Sequence, residues 1–192
     1  MKSINLKIIV FTLFISTVSF AQKYTKTDNS EVKKKWNETT FYSSKSFSEN
    51  IAEVPNLSKL KKDLEFGSSI KVIEDEEMVT IFAMTNNGYE KLQAVQDSIF
   101  DISVAANRVA LINYHVVPGR VDSRSIKKAV KRSDSLVHFS TLQGEKLGVK
   151  EENGQLFLVD PFGNTSLILA TDFYHKNGFF HLVEGYVIPT ME

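Results

Sequence analysis

The chain contains no cysteine. Disulfides, thiolate zinc sites, iron–sulfur clusters and thiol catalysis are therefore excluded. Proline and glycine are sparse, 4 and 9 in 192 residues, and no internal repeat occurs, so the chain is neither collagen-like nor low-complexity. Neither sign of charge is in excess. With 23 Lys+Arg against 23 Asp+Glu, the chain lacks the overall basic footprint of a nucleic-acid binder. No Gly-x-Ser-x-Gly, phosphate loop, dinucleotide fingerprint, His-x-His or His-Glu-x-x-His spacing is found. What remains is ordinary globular composition, 42% apolar and 24% charged. A domain of roughly 150 residues buries about 70% of its chain's surface, enough for a real core.

Met1–Ala21 reads as an export signal. Lys2 and Lys7 make a positive start, Ile8–Val18 is mostly apolar, and Ser19-Phe20-Ala21 places small residues where a signal peptidase reads. The apolar run falls short of the ~20 residues a membrane span needs, and a charged stretch follows at once. Cleavage would leave 22–192 with 21 Lys+Arg against 23 Asp+Glu, periplasmic or extracellular and without a membrane span. Without cysteine, the stability of such an exported chain must come from its core. The three residues after Pro189 leave no expectation of a C-terminal anchor.

Residues 22–46 are polar and lysine-rich and read as an arm or linker. Trp36, Phe41 and Tyr42 suggest one anchored spot in it, while Lys33-Lys34-Lys35 reads as a solvated patch. From 47 to 190 the pattern becomes regular. Leu57, Leu60 and Leu64 share a helix face, with Pro55-Asn56 at its start and Gly67 at its stop. Ile70–Ile73 and Val79–Ala83 read as strands around the acidic turn Glu74–Glu77. A second helix carries Tyr89, Leu92, Val95 and Ile99, with Asn87 and Glu90 as a capping box. A third, capped by Ser103, carries Val104, Arg108, Leu111 and Ile112 and ends near His115, before Pro118-Gly119. Ser123–Val130 suits another short helix. Strands are expected at Leu136–Leu142, Lys146–Lys150, Leu156–Val159, Ser166–Ala170 and Phe179–Ile188. Asn153-Gly154 and Asn177-Gly178 read as tight hairpin turns needing positive φ. Helices first and antiparallel strands later make an α+β domain.

Four segments together resemble the fasciclin domain family. Val79–Asn86, VTIFAMTN, is similar to its first box, T-[VI]-F-A-P-[ST]-[ND]. Asn113–Arg120, NYHVVPGR, is similar to its Tyr-His segment. Thr141-Leu142-Gln143-Gly144 resembles its T-L-x-G turn, and Phe180–Pro189, FHLVEGYVIP, its closing box. Order and spacing agree over about 47–189. Met84 replaces the usual Pro, and Glu184 the usual Asp. The resemblance implies a compact wedge of antiparallel and mixed strands flanked by short helices. It implies an exported module of cell adhesion or surface and matrix contacts and does not imply an enzyme; from the missing motifs no cofactor, metal or catalytic residue is expected.

It also directs attention to two pairs. Tyr114-His115 matches the Tyr-His region linked to receptor binding in animal members. Read from the residues alone, Tyr114 packs and His115 bonds backbone at a helix end. Asp172-Phe173 aligns with an Asp-Ile dipeptide implicated in integrin recognition. Here Phe replaces Ile, and the plain reading is a loop carboxylate beside a core ring. The chain has no Arg-Gly-Asp. The acidic turn lacks the alternating ligands and Gly of a calcium loop, and His138, His175 and His181 are dispersed. Three glycosylation sequons, at Asn37, Asn56 and Asn164, are what chance supplies. Two functions stay open: contact with a cell-surface or matrix protein, or capture of a polysaccharide or small molecule in the envelope through aromatic side chains.

Overall fold

The computed structural model describes residues 30–66, 69–95 and 100–190. The expected signal segment, Gly67 and Ile99 lie outside the described residues. Packing begins earlier in the chain than the regular pattern does. Strands β1 (Lys33–Trp36) and β2 (Thr39–Tyr42) form an antiparallel ribbon across Asn37, whose φ of 51° suits an Asn turn. Lys33 and Lys35 face water; Trp36 packs on the core margin. Phe41 is buried, edge-on to Phe173 at 4.9 Å and to Phe180 at 5.0 Å. The Lys34 ammonium donates to the Thr171 carbonyl. The stretch expected as an arm is thus an ordered ribbon from 33 to 42. Its four-residue strands carry lysines on the outer face, and that polarity hid the period-two pattern.

Among the described residues, five helices come first, set by signals of different quality. α1 (Phe47–Ile51) opens with a complete capping box: Glu49 N–H donates to Ser46 Oγ at 3.2 Å, and Ser46 N–H to the Glu49 carboxylate at 2.7 Å. A 3₁₀ turn (Pro55–Leu57) leads into α2 (Ser58–Leu64), and Leu57, Leu60 and Leu64 are all buried. α3 (Ser69–Asp75) stands where Ile70–Ile73 reads as a strand. Ile73 is buried and Ile70 packs on the core, while Lys71 and Val72 face water; that is an i, i+3 spacing. A short apolar run does not fix its own period. α4 (Asn86–Gln93) begins after Thr85 without a side-chain cap, so the expected Asn87 capping box is absent. Asn87 instead donates to Glu184, and Glu90 pairs with Lys59 at 3.4 Å. α5 (Ala105–Tyr114) ends at His115, but Ser103 does not cap it. The Ser103 amide is taken by Asp101 at 2.8 Å.

The remaining elements make one seven-stranded sheet and a helix on it. In chain order they are β3 (Val79–Met84), β4 (Val116–Pro118), α6 (Ser123–Arg132), β5 (Leu136–Ser140), β6 (Lys146–Glu152), β7 (Gln155–Val159), β8 (Thr165–His175) and β9 (Gly178–Glu184). The sheet order is β4-β3-β9-β8-β7-β6-β5. Every pairing is antiparallel except β3 with β9, which is parallel. All six residues of β3 are buried, as expected of a strand covered on both faces. The architecture is the α+β wedge anticipated above. Asn153 and Gly154, at φ 51° and 80°, make the expected hairpin. The Lys176-Asn177 turn differs: neither residue has positive φ. Among the described residues no helix is long and apolar enough to cross a membrane.

Candidate functional site

The two residue pairs singled out by the sequence occupy different corners, and no hydrogen bond or ring contact joins them among the described residues. Asp172-Phe173 lies in β8, which slips register against β9 between Ile168 and Phe173. At the slip Asp172 takes φ 59°, a left-handed conformation that Asp and Asn tolerate better than other side chains. This aims its carboxylate at the start of α6. It accepts from the Ser123 amide at 2.7 Å and from the Ser123 hydroxyl. Asp122, the N-cap, accepts from the Ser125 amide at 2.6 Å. Two carboxylates thereby satisfy the first donors of the helix and complement its dipole.

His181 sits beneath this junction with no exposed surface. Its Nδ1 accepts from the Asp172 amide at 3.1 Å, which leaves Nε2 to donate to the Val121 carbonyl at 2.9 Å. The ring is therefore a neutral Nε2–H tautomer, stacked on Phe82 at 5.3 Å. Burial pushes its pKa down, outweighing the Val121 bond and the Asp172 charge. For Asp172, burial pushes the carboxyl up, but the bonds from the Ser123 hydroxyl and amide and from Thr171 outweigh it and hold the pKa below the usual value. Its side chain keeps 27% exposure. Phe173 is inside, stacked on Phe180 at 5.1 Å.

Tyr114 and His115 close the corner where α5 meets β4, and both are buried. The Tyr114 hydroxyl donates to the Lys146 carbonyl at 3.2 Å, and burial raises its pKa well above the usual range, helped by Asp160 and Glu145. His115 Nδ1 donates to the Leu111 carbonyl at 2.9 Å, and its own carbonyl accepts from the Phe82 amide at 2.9 Å. Its Nε2 has no partner and faces apolar side chains that include Phe47, Leu60, Phe82 and Met84. Burial pushes its pKa down to about 4, against the Leu111 bond. Of the four candidates, only Asp172 reaches solvent; a partner would meet Tyr114, His115 and Phe173 only through the surface they support.

This arrangement makes a specific result expected. Asp172→Ala should cost about 2 kcal/mol, from a lost helix cap together with alanine in a left-handed conformation. Asp172→Asn should cost less than about 1 kcal/mol, since Asn accepts one bond and tolerates the φ. Urea unfolding of both variants checks this. If Asp172→Ala left stability unchanged, the capping role would be wrong and a contact role favoured.

The four boxes assemble into one scaffold. β3 lies between β4, from the Tyr-His segment, and β9, from the closing box. The Thr141–Gly144 turn closes the ring of contacts: the Leu142 amide donates to Val116 O at 2.8 Å and the Gln143 amide to Asn113 O at 3.3 Å. A residue outside the expected set completes it. Asp160 is buried and accepts from the amides of Phe162, Asn164 and Ile188, each at 2.9 Å, and from the Asn164 side chain at 2.8 Å. An Asp before Pro-Phe-Gly-Asn is an Asx-turn signal, but its reach to Ile188 is invisible locally. The acidic turn is engaged too: Glu74 accepts from Ser48 at 2.6 Å, and the Glu76 carbonyl from Asn177 at 2.9 Å.

Fold and site together define an α+β module whose signature residues serve as scaffold and whose exterior is left for contacts. Residues 55–189 match the Fasciclin domain model, and the chain belongs to that family. Fasciclin domains are interaction modules. Protein sll1483 of Synechocystis sp. is 23% identical over 125 residues, covering 64% of this chain and 61% of the relative. A solved FAS1 domain pair from the insect cell adhesion molecule Fasciclin I shares the fold, with a TM-score of 0.62 at 15% identity. That alignment covers 76% of this chain and 51% of the other. The chain thus spans less than two-thirds of either protein.

Proposed function

We propose that this chain is exported and serves as an adhesion module, contacting a protein at a cell surface or in a matrix. The observation that supports this reading most is the family match over 55–189, with the matched boxes spent on internal bonds. A rigid body built this way contacts partners with exterior strands and loops. The adhesion role of the insect protein that shares the fold, and the export pattern of Met1–Ala21, point the same way. Single contacts of this kind are weak and gain from clustering.

The test is cross-linking of the tagged protein to intact cells and matrix, with protein and glycan fractions read separately. One saturable protein partner, and secreted protein beginning at Gln22, are the expected results. Recovery only in the glycan fraction, or protein retained inside the cell with Met1 intact, would overturn the reading.

A further inference from the structure

Helix α6 carries five of the chain's 23 Lys+Arg and none of its 23 Asp+Glu, so the remainder of the chain has five more acidic than basic residues. The patch is therefore local and does not reflect a generally basic protein. Its layout follows from packing. Ile126 and Val130 are buried and the helix rests on β5 and β6, so Arg124, Lys127, Lys128, Lys131 and Arg132 are all exposed on the outer face. Among the described residues, none of the five lies within 4.0 Å of a carboxylate. Arg124, Lys128 and Lys131 form a row of about 10 Å at the helical rise, with Lys127 and Arg132 flanking it.

This row opposes the helix's own stability. Arg124–Lys128, Lys127–Lys131 and Lys128–Arg132 are like charges at i, i+4, which repel. Lys131 and Arg132 suit the helix C-terminus, but Arg124, Lys127 and Lys128 gain nothing from the dipole. The strain is held by fixed supports at the other end, the Asp122 and Asp172 carboxylates on the first turn. A rigid, unpaired cationic ridge is complementary to a polyanion.

The geometry points to a linear anionic polysaccharide, sulfated or carboxylated, lying along the α6 ridge. A lipid surface fits less well, because amphipathic helices bind bilayers by inserting an apolar face, and here that face is committed to the core. Single-stranded nucleic acid fits less well, because its bases stack on aromatic side chains and the ridge has none. A linear chain of regularly spaced anions meets the whole row. This inference stands apart from the protein-contact reading above.

The test measures binding of the purified protein to heparin and to alginate, beside polyglutamate and phosphatidylcholine vesicles containing phosphatidylserine. Two charge-matched variants are compared. K127Q/K128Q/K131Q removes the ridge; K71Q/K91Q/K176Q removes three exposed lysines elsewhere. The first should weaken polysaccharide binding at least about tenfold and flatten its salt dependence, and the second should change it less than about twofold. Thermal midpoints no lower than the parent's in both would show that the fold is intact, and relief of the like-charge pairs should raise that of the first variant. The inference is overturned if the two variants lose binding equally, if polyglutamate or vesicles bind more tightly than either polysaccharide, or if nothing binds at about 0.15 M salt.

Discussion

Gly178→Ala will destabilise the protein by about 4 kcal/mol or more, a loss reserved for a few severe mechanisms. Gly178 opens β9, directly opposite Val79 in the parallel ladder. A Cβ there would lie 1.7 Å from the Val79 carbonyl oxygen and 2.8 Å from its carbon. Both are backbone atoms, so no side-chain rotation relieves the clash. The strands must separate, and with them the six residue pairs that join β3 to β9. Gly154→Ala is the control: its φ is 80°, but nothing lies within 4 Å of the added atom, so about 1 kcal/mol is expected. Urea unfolding of the two variants separates the cases. Similar losses would mean that β3 and β9 are not packed this closely.

Acidification from pH 7 to pH 4 will produce the second large loss. His115 and His175 are buried and neutral, and burial brings both from an ordinary 6.5 to about 4. Below pH 6.5 the unfolded chain takes up protons that the folded chain refuses, so stability falls as pH falls and levels off below about 4. At 1.36 kcal/mol per pK unit, each ring contributes about 3 kcal/mol across that window. His181 adds in the same direction. Asp63 acts oppositely: burial raises its pKa despite Tyr89 and Arg108, so its contribution is lost as pH rises. The check is the urea midpoint measured across that range for the parent and His115→Phe. The variant should lose the His115 share of the pH dependence, about 3 kcal/mol across that window, whatever its absolute stability. An undiminished slope would show that His115 titrates normally.

What the sequence disclosed and what it concealed divide by range. The leucine face of α2, the end of α5 at His115 and the Asn153-Gly154 turn are each set by neighbours within a few residues, and each was legible. The ribbon is concealed because lysines on its outer face mask the alternation, and α3 because a four-residue apolar run satisfies more than one period. The candidate corner was concealed for another reason. Asp172 caps a helix 49 residues before it, and Asp160 holds an amide 28 residues after it. Nothing in either carboxylate's vicinity names its partner; only closure of the sheet does. The sequence signature of a motif box likewise does not distinguish a contact residue from a supporting one. Burial makes that distinction for Tyr114 and Phe173.

The parallel pairing of β3 with β9 has a consequence for the order of events in folding. β3 is the most deeply enclosed strand of the sheet, yet one of its two neighbours is the last of that sheet's strands in chain order. The contacts that bury it span about a hundred residues of chain, the non-local kind that slows folding. A growing chain therefore holds one edge of VTIFAM, the side that β4 does not cover, unpaired and uncharged until residue 183 is available. Such an edge is a template for self-association. The module is consequently obliged to fold all at once and late, and the interval before its final strand docks is when it is most exposed to aggregation.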